Sequence, residues 1–77
     1  MNKRIQVYEA IVTDKEFGRE NAESVEAVMN IAEGLEIDIN YRDAERIQES
    51  AKRFFVLDDE GCMDSYAESR ECIDPLL

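Results

Sequence analysis

Residues 40–55, N-Y-R-D-A-E-R-I-Q-E-S-A-K-R-F-F, constrain this chain more than any other stretch. At 100° per residue, Tyr41, Ala44, Ile47, Ala51, Phe54 and Phe55 fall within one arc of about 140°. Arg42, Arg46 and Arg53 fall within about 40° of one another on the other side. Asn40 is placed to cap the start, its side-chain oxygen accepting from a free N–H of the first turn. Asp43 suits the positive end of the helix dipole. Ala, Glu, Gln, Arg and Lys supply good helix propensity, and the stretch contains no Gly or Pro. A long amphipathic helix is expected, with Tyr41, Ile47, Phe54 and Phe55 as the main anchors of the core. If Phe54 is fully buried, its truncation to alanine costs about 3–5 kcal/mol.

The arginine line has two readings. One is a contact stripe for phosphate, nucleic acid or an acidic partner. The other is a solvated face held by its own acids: Glu49 lies four before Arg53 and three after Arg46, and Glu45 lies three after Arg42. Such pairs stabilise a helix by about 0.2–0.5 kcal/mol each. Most surface charge runs are of the second kind.

A second helix is expected from Asn21, capped by Asn21 or Ser24. Val25, Val28, Met29, Ile31, Ala32 and Leu35 give it a broad apolar face, while Glu23, Glu26, Asn30 and Glu33 share the other side. Gly34 suits the left-handed position that ends a helix. Residues 3–15 are ambiguous. Ile5, Tyr8, Ile11 and Val12 match a helical stripe, Val7 and Ala10 blur it, and the β-branched content leans toward a strand. Helix is favoured, because a strand apolar on both faces needs cover on both sides. Residues 35–41, L-E-I-D-I-N-Y, alternate with strand spacing, but are also short enough to be a linker tucking Leu35, Ile37 and Ile39 between helices. A turn is expected around Gly18, and Gly61 ends the long helix. A last helix is expected near residues 62–72, with Cys62, Met63, Tyr66, Ala67 and Ile73 inward. It stops at Asp74-Pro75 because the residue before proline disfavours helical geometry. Leu76 and Leu77 are expected to fold back onto the core, with a docking tail as the alternative. The fold class is therefore mostly α, a compact domain of three to four helices. The alternative is a small α+β fold pairing residues 4–13 with 35–41.

Seventy-seven residues make one domain. Such a chain buries only about 60–65% of its unfolded surface, so a homodimer sharing a core is compatible with the length. No apolar run is long enough for a transmembrane helix. The start, M-N-K-R-I-Q-V-Y, lacks the apolar core of a secretory signal, and a cytoplasmic location is expected. Cys62 and Cys72 form no C-x-x-C, and no His exists to complete a zinc site, so both are expected as free thiols.

The net charge of −10 is unevenly spread. Residues 20–40 carry six acids and no base, and residues 56–77 carry seven acids and Arg70. Residues 1–19 and 41–55 are each close to neutral. Attraction to nucleic acid or an anionic membrane is disfavoured, since that affinity comes from cations neutralising phosphates.

Catalysis has few resources. There is no His for proton transfer near neutral pH. No acid sits in an apolar stretch that would raise its pKa into a working range. The cysteines lie in an acidic block that disfavours thiolate. No P-loop or G-x-G-x-x-G occurs. The run from Asp58 to Glu68 fails the EF-hand template, because Gly61 comes fourth rather than sixth and Cys62 takes the fifth position. No cofactor, metal or catalytic residue is expected.

Binding is left. The pieces A-V-M-N-I-A-E-G-L-E-I and Y-R-D-A-E-R-I-Q resemble in pattern the paired helices of helix-turn-helix DNA-binding domains, whose second helix enters the major groove. That resemblance implies Arg42 and Arg46 as groove contacts. The connection is about six residues rather than three or four, and the first helix is acidic where it would cross phosphates. Acidity suggests the opposite class. In composition the chain is similar to short phage- or plasmid-encoded inhibitors, anti-CRISPR and anti-restriction proteins among them, whose carboxylates mimic DNA phosphates in a partner's basic groove. The candidate partner-binding carboxylates are Glu23, Glu26, Glu33, Asp58, Asp59, Glu60 and Asp64. The expected partner is a protein with a basic surface, with no direct nucleic-acid or membrane binding. A generic adaptor subunit, with acids serving only solubility, is the remaining alternative.

Overall fold

The computed structural model describes residues 3–70. Five helices follow one another: α1 (Lys3–Val12), α2 (Gly18–Asn21), α3 (Val25–Gly34), α4 (Tyr41–Asp59) and α5 (Ser65–Ser69). Among the described residues there is no strand, so the mostly α fold holds and the α+β alternative does not. The long helix α4 packs against each of the other four.

Two caps are those the sequence suggests. Asn40 Oδ1 accepts from the Asp43 N–H at 2.8 Å, and Ser24 Oγ accepts from the Ala27 N–H at 3.4 Å. Asn21 instead ends the short helix α2. Glu23 therefore precedes α3 and does not belong to its acidic line.

The buried face of α4 differs from the expected one. Asp43, Ala44, Ile47, Ser50 and Ala51 are buried, whereas Tyr41 is 59% exposed. Placed on a wheel, the face centres on Ile47 and extends about 60° to either side, which puts Tyr41 outside at about 120°. Two polar residues draw it round. Asp43 is buried because Arg4 of α1 reaches it, Nε to Oδ2 at 3.1 Å. The Ser50 hydroxyl is fully buried without a hydrogen-bond partner among the described residues. Phe54 and Phe55 are only half-buried, so the 3–5 kcal/mol expected for a fully buried Phe54 does not apply. The fully buried large side chains are Tyr8, Ile11, Ile47, Val7 and Val28.

Helix α1 explains its own ambiguity. It contacts α2, α3 and α4, and Tyr8 and Glu9 also bond to α5. Cover on several sides lets Ile5, Val7, Tyr8, Ile11 and Val12 all be buried, which widens the stripe that a one-sided helix would keep narrow. Gly18 is buried where α2 meets α1 and α4. A Cβ there would lie 2.3 Å from the Ile11 carbonyl oxygen and 2.9 Å from the Phe55 ring. The residue is Gly because backbone passes against backbone.

Helices α3 and α4 end in the same way. At the end of α4, the Cys62 N–H donates to Leu57 O at 2.9 Å and the Gly61 N–H to Asp58 O at 3.0 Å. At the end of α3, the Ile37 N–H donates to Ala32 O at 2.8 Å and the Glu36 N–H to Glu33 O at 3.0 Å. Both are Schellman motifs, which require a left-handed residue. Gly61 fills the first at φ 80° and Glu36 the second at φ 59°. Gly34 is not the left-handed residue, as its position had suggested, but lies within α3. The stop is set by where Ile37 and Ile39 must go: both turn to the core, Ile39 only 8% exposed. Residues 35–40 are thus a linker, Tyr41 opens α4, and no strand forms here.

Helix α5 starts at Ser65, later than expected, and its inward face is different. Ser65 and Ser69 are buried and Tyr66 is half-buried, while Ala67 is exposed and Met63, before the helix, is 98% exposed. The polar inward face is possible because Tyr8 bonds Ser69. Cys62 is a half-buried free thiol. Cys72, Ile73, Pro75, Leu76 and Leu77 lie outside the described residues.

Two measurements check this packing. In urea denaturation, Ile47→Ala loses about 2–5 kcal/mol while Tyr41→Ala changes stability by about 0.5 kcal/mol or less; equal losses would return Tyr41 to the core. Glu36→Gly gains about 1 kcal/mol, because a left-handed side-chain residue is strained and Gly is not. A loss there would show that Glu36 is held by interactions stronger than that strain.

Candidate functional site

The six acids of residues 20–40 (Glu20, Glu23, Glu26, Glu33, Glu36 and Asp38) are all exposed, and none makes an ion pair among the described residues. The structure sorts them by place. Glu26 and Glu33, two turns apart, lie on the outward side of α3. Glu33 also borders a groove of about 330 Å³ at the end of α3, with Glu36 and Asp38. The apolar wall of that groove is Met29, Ala32, Ile37 and Ile39. Glu23 lies near the other end of α3. It borders a hollow of about 200 Å³ with Arg19, Lys52 and Asp59. The proposed line Glu23, Glu26, Glu33 is therefore split: Glu23 joins the second acidic block, and Glu33 joins two acids that had not been singled out.

The second block surrounds the turn from α4 to α5. Asp58 and Asp59 occupy the last turn of α4, Glu60 is its C-cap, and Asp64 precedes α5. All four are exposed. Carboxylates at a helix C-terminus face the negative end of its dipole. Arg19 of α2 offsets part of this. Its guanidinium donates to both Asp59 oxygens, at 2.6 and 2.7 Å, and stands 5.0 Å over the Phe55 ring. The hydrogen bond from Arg19 holds the Asp59 carboxyl below its ordinary range, and the same bond raises the Arg19 pKa. Both groups are open to water, so the pair is readily screened.

Arg42, Arg46 and Arg53 are exposed and make no ion pair among the described residues. The intrahelical partners suggested by spacing, Glu45 and Glu49, are not within 4.0 Å of them. Arg42 and Arg46 border an open groove of about 800 Å³ with Val25, Tyr41, Glu45 and Glu49. The groove therefore has two bases facing two acids. Arg53 does not line it.

Among the described residues no three His, Cys, Asp or Glu side chains converge as metal ligands. The Cys62 Sγ lies 3.8 Å from Glu68 Oε2. No described helix is long and apolar enough to cross a membrane.

Two tyrosines with raised pKa hold α5 to α1. The Tyr8 hydroxyl pairs with Ser69 Oγ. Ser69 donates its own proton to Tyr66 O at 3.1 Å, so Tyr8 is the donor. Burial pushes the Tyr8 pKa from 10.0 up to about 12. Tyr66 donates to Glu9. Burial first, then the bond to Glu9 and its charge, raise the Tyr66 pKa. Sequence reasoning missed both bonds. The serines stand in a run with no apolar period, and nothing local marks a partner 61 positions away. Glu36 and Asp38 were missed because the alternation L-E-I-D-I was read for its apolar members alone.

A raised tyrosine pKa contributes stability that is complete below the unfolded value, 10.0, and lost as pH climbs through the folded value of about 12. Helicity followed by circular dichroism should hold to about pH 10 and fall above it. Tyr8→Phe should flatten that fall and cost about 1 kcal/mol at neutral pH. An unchanged alkaline profile in the variant would remove Tyr8 as its cause.

Compared with protein-family models, curated proteins and solved structures, the chain matches none.

Proposed function

We propose that this is a small, non-enzymatic, acidic binding protein that occupies the basic surface of a partner protein. The observation that carries the proposal is the block of six exposed acids at residues 20–40, unbroken by any base and unneutralised by ion pairs among the described residues. Concentrated like charge weakens a fold through self-repulsion. A cationic partner relieves that repulsion and gains complementarity, chiefly in association rate and specificity. The carboxylates concerned are Glu23, Glu26 and Glu33, with Asp58, Asp59, Glu60 and Asp64 extending the surface past Glu23. A groove that normally holds nucleic acid is the fitting target, because it presents rows of Lys and Arg. The class is that of inhibitors such as anti-CRISPR and anti-restriction proteins.

One observation favours a second reading. The exposed side of α4 as far as Arg53 carries Arg42, Arg46, Lys52 and Arg53 against only Glu45 and Glu49. This is the most basic strip of the described chain, and a DNA-binding regulator would use it. Its order in the fold counts against that use. α4 is the central helix, and a −6 block lies on each side of it in sequence.

The two readings separate in solution. No shift of duplex DNA is expected at physiological salt, and submicromolar binding would favour the regulator. Immobilised protein should retain a basic nucleic-acid-binding protein from its host's lysate, and added duplex DNA should release it. Reversal of Glu23, Glu26 and Glu33 to Lys should abolish retention while helicity is kept. Equal retention by the folded triple variant would overturn the assignment of these acids.

A further inference from the structure

We infer that the groove at the end of α3 is an anchoring pocket for an extended, basic segment of the partner protein that carries an aliphatic side chain. This deepens the function proposed above and rests on it, by locating one contact and giving its chemistry. The groove, about 330 Å³, has an apolar wall of Met29, Ala32, Ile37 and Ile39. That volume is at the small end for a ligand pocket and suits one or two aliphatic side chains. Met29 is half-buried at its edge, and an unbranched thioether adapts to what it meets.

The rim selects the charge. Glu33, Glu36 and Asp38 border the groove, and no basic residue lines it. The negative end of the α3 dipole adds to their field. An apolar ligand without positive charge would leave three carboxylates partly desolvated and uncompensated, which is costly. A lysine or arginine beside the aliphatic residue removes that cost.

Main-chain geometry favours a peptide over a small amine. Between the Ile37 N–H, which closes the Schellman motif, and Asn40, which caps α4, the backbone N–H groups of Asp38 and Ile39 bond to nothing among the described residues. Carbonyls of an extended chain can accept from such a segment, as in strand addition, while alternate side chains supply specificity. Asp38 is exposed and Ile37 and Ile39 turn inward, so one short stretch presents both a charge and two apolar contacts.

Fluorescence anisotropy with a labelled decapeptide alternating lysine and leucine tests the inference on the whole chain. The peptide should bind at low salt and weaken as salt rises. A peptide with serine for each leucine should bind more weakly. The Glu33→Gln, Glu36→Gln, Asp38→Asn variant should lose about tenfold in affinity, since three exposed rim charges each contribute modestly. Met29→Asn should weaken the leucine peptide and leave the serine peptide unchanged. Glu16→Gln with Glu45→Gln, which lie off the groove and outside the proposed partner-binding carboxylates, should keep wild-type affinity. Equal loss in this control would overturn the groove, because the peptide would then be answering to net charge alone. Equal binding of the two peptides would overturn the apolar anchor. Failure of the leucine peptide to bind at low salt would overturn the whole inference, while the lysate experiment still decides the broader proposal. Concentration-dependent dimerisation abolished by Met29→Asn would instead show that a second copy fills the groove, and would also overturn it.

Discussion

A helix of five residues has no independent stability in water, and α5 exists because Tyr8 is buried beside it. The Tyr8 ring meets Phe54 edge-on, with centroids 6.5 Å apart, and lies tilted against Tyr66 at 5.6 Å. Its hydroxyl gives the buried Ser69 Oγ a second hydrogen bond beside the one that Ser69 donates to Tyr66 O. One residue of α1 thus ties together the C-terminal half of α4 and the last described helix. The contact bridges 61 positions, whereas most of the remaining packing joins helices adjacent or nearly adjacent in sequence. Long loops close at an entropic cost that must be met before their contacts form.

The parts legible in the sequence were those governed by local physics. Asn40 and Ser24 cap because a short side-chain oxygen next to a free N–H does so in almost any setting. Gly61 ends α4 because a left-handed residue was needed there and Gly costs least. The illegible parts were decided by neighbours. Tyr41 shares the apolar arc of α4, yet Arg4 draws Asp43 inward and the face turns away from Tyr41. Val7 looked like noise in a helical stripe, yet α1 is enclosed on several sides. Glu36 took a position where Gly34, two residues earlier, had looked the better fit, because the destination of Ile37 and Ile39 set the end of the helix. The candidate carboxylates were legible as a block of charge. Their division into two groups, one around Glu33 and one joining Glu23 to Asp59, depends on the turn before Ser24 and could not be read from a single helical wheel.

Charge and packing are largely separate in this protein. The core is built from apolar side chains with Asp43, Ser50, Ser65 and Ser69 inside, and only two ion pairs are formed among the described residues, Arg4–Asp43 and Arg19–Asp59. The first neutralises a buried acid. The second reduces the repulsion where α4 ends among carboxylates. Neither touches the acids of residues 20–40, which are left to solvent and to whatever approaches from it.

Gly18 bears on how such a sequence can vary. With the Ile11 carbonyl oxygen 2.3 Å from where a Cβ would stand, every other amino acid at this position forces α1 and α2 apart. Arg19, the next residue, owes its place over Phe55 and beside Asp59 to that contact. The acids of residues 20–40 answer to a looser demand: at most of these positions Asp and Glu serve equally, provided the sign is kept. Across descendants of this chain, divergence should therefore gather on the surface that meets the partner, and an immovable glycine two residues before that surface begins should mark the relationship when little else does.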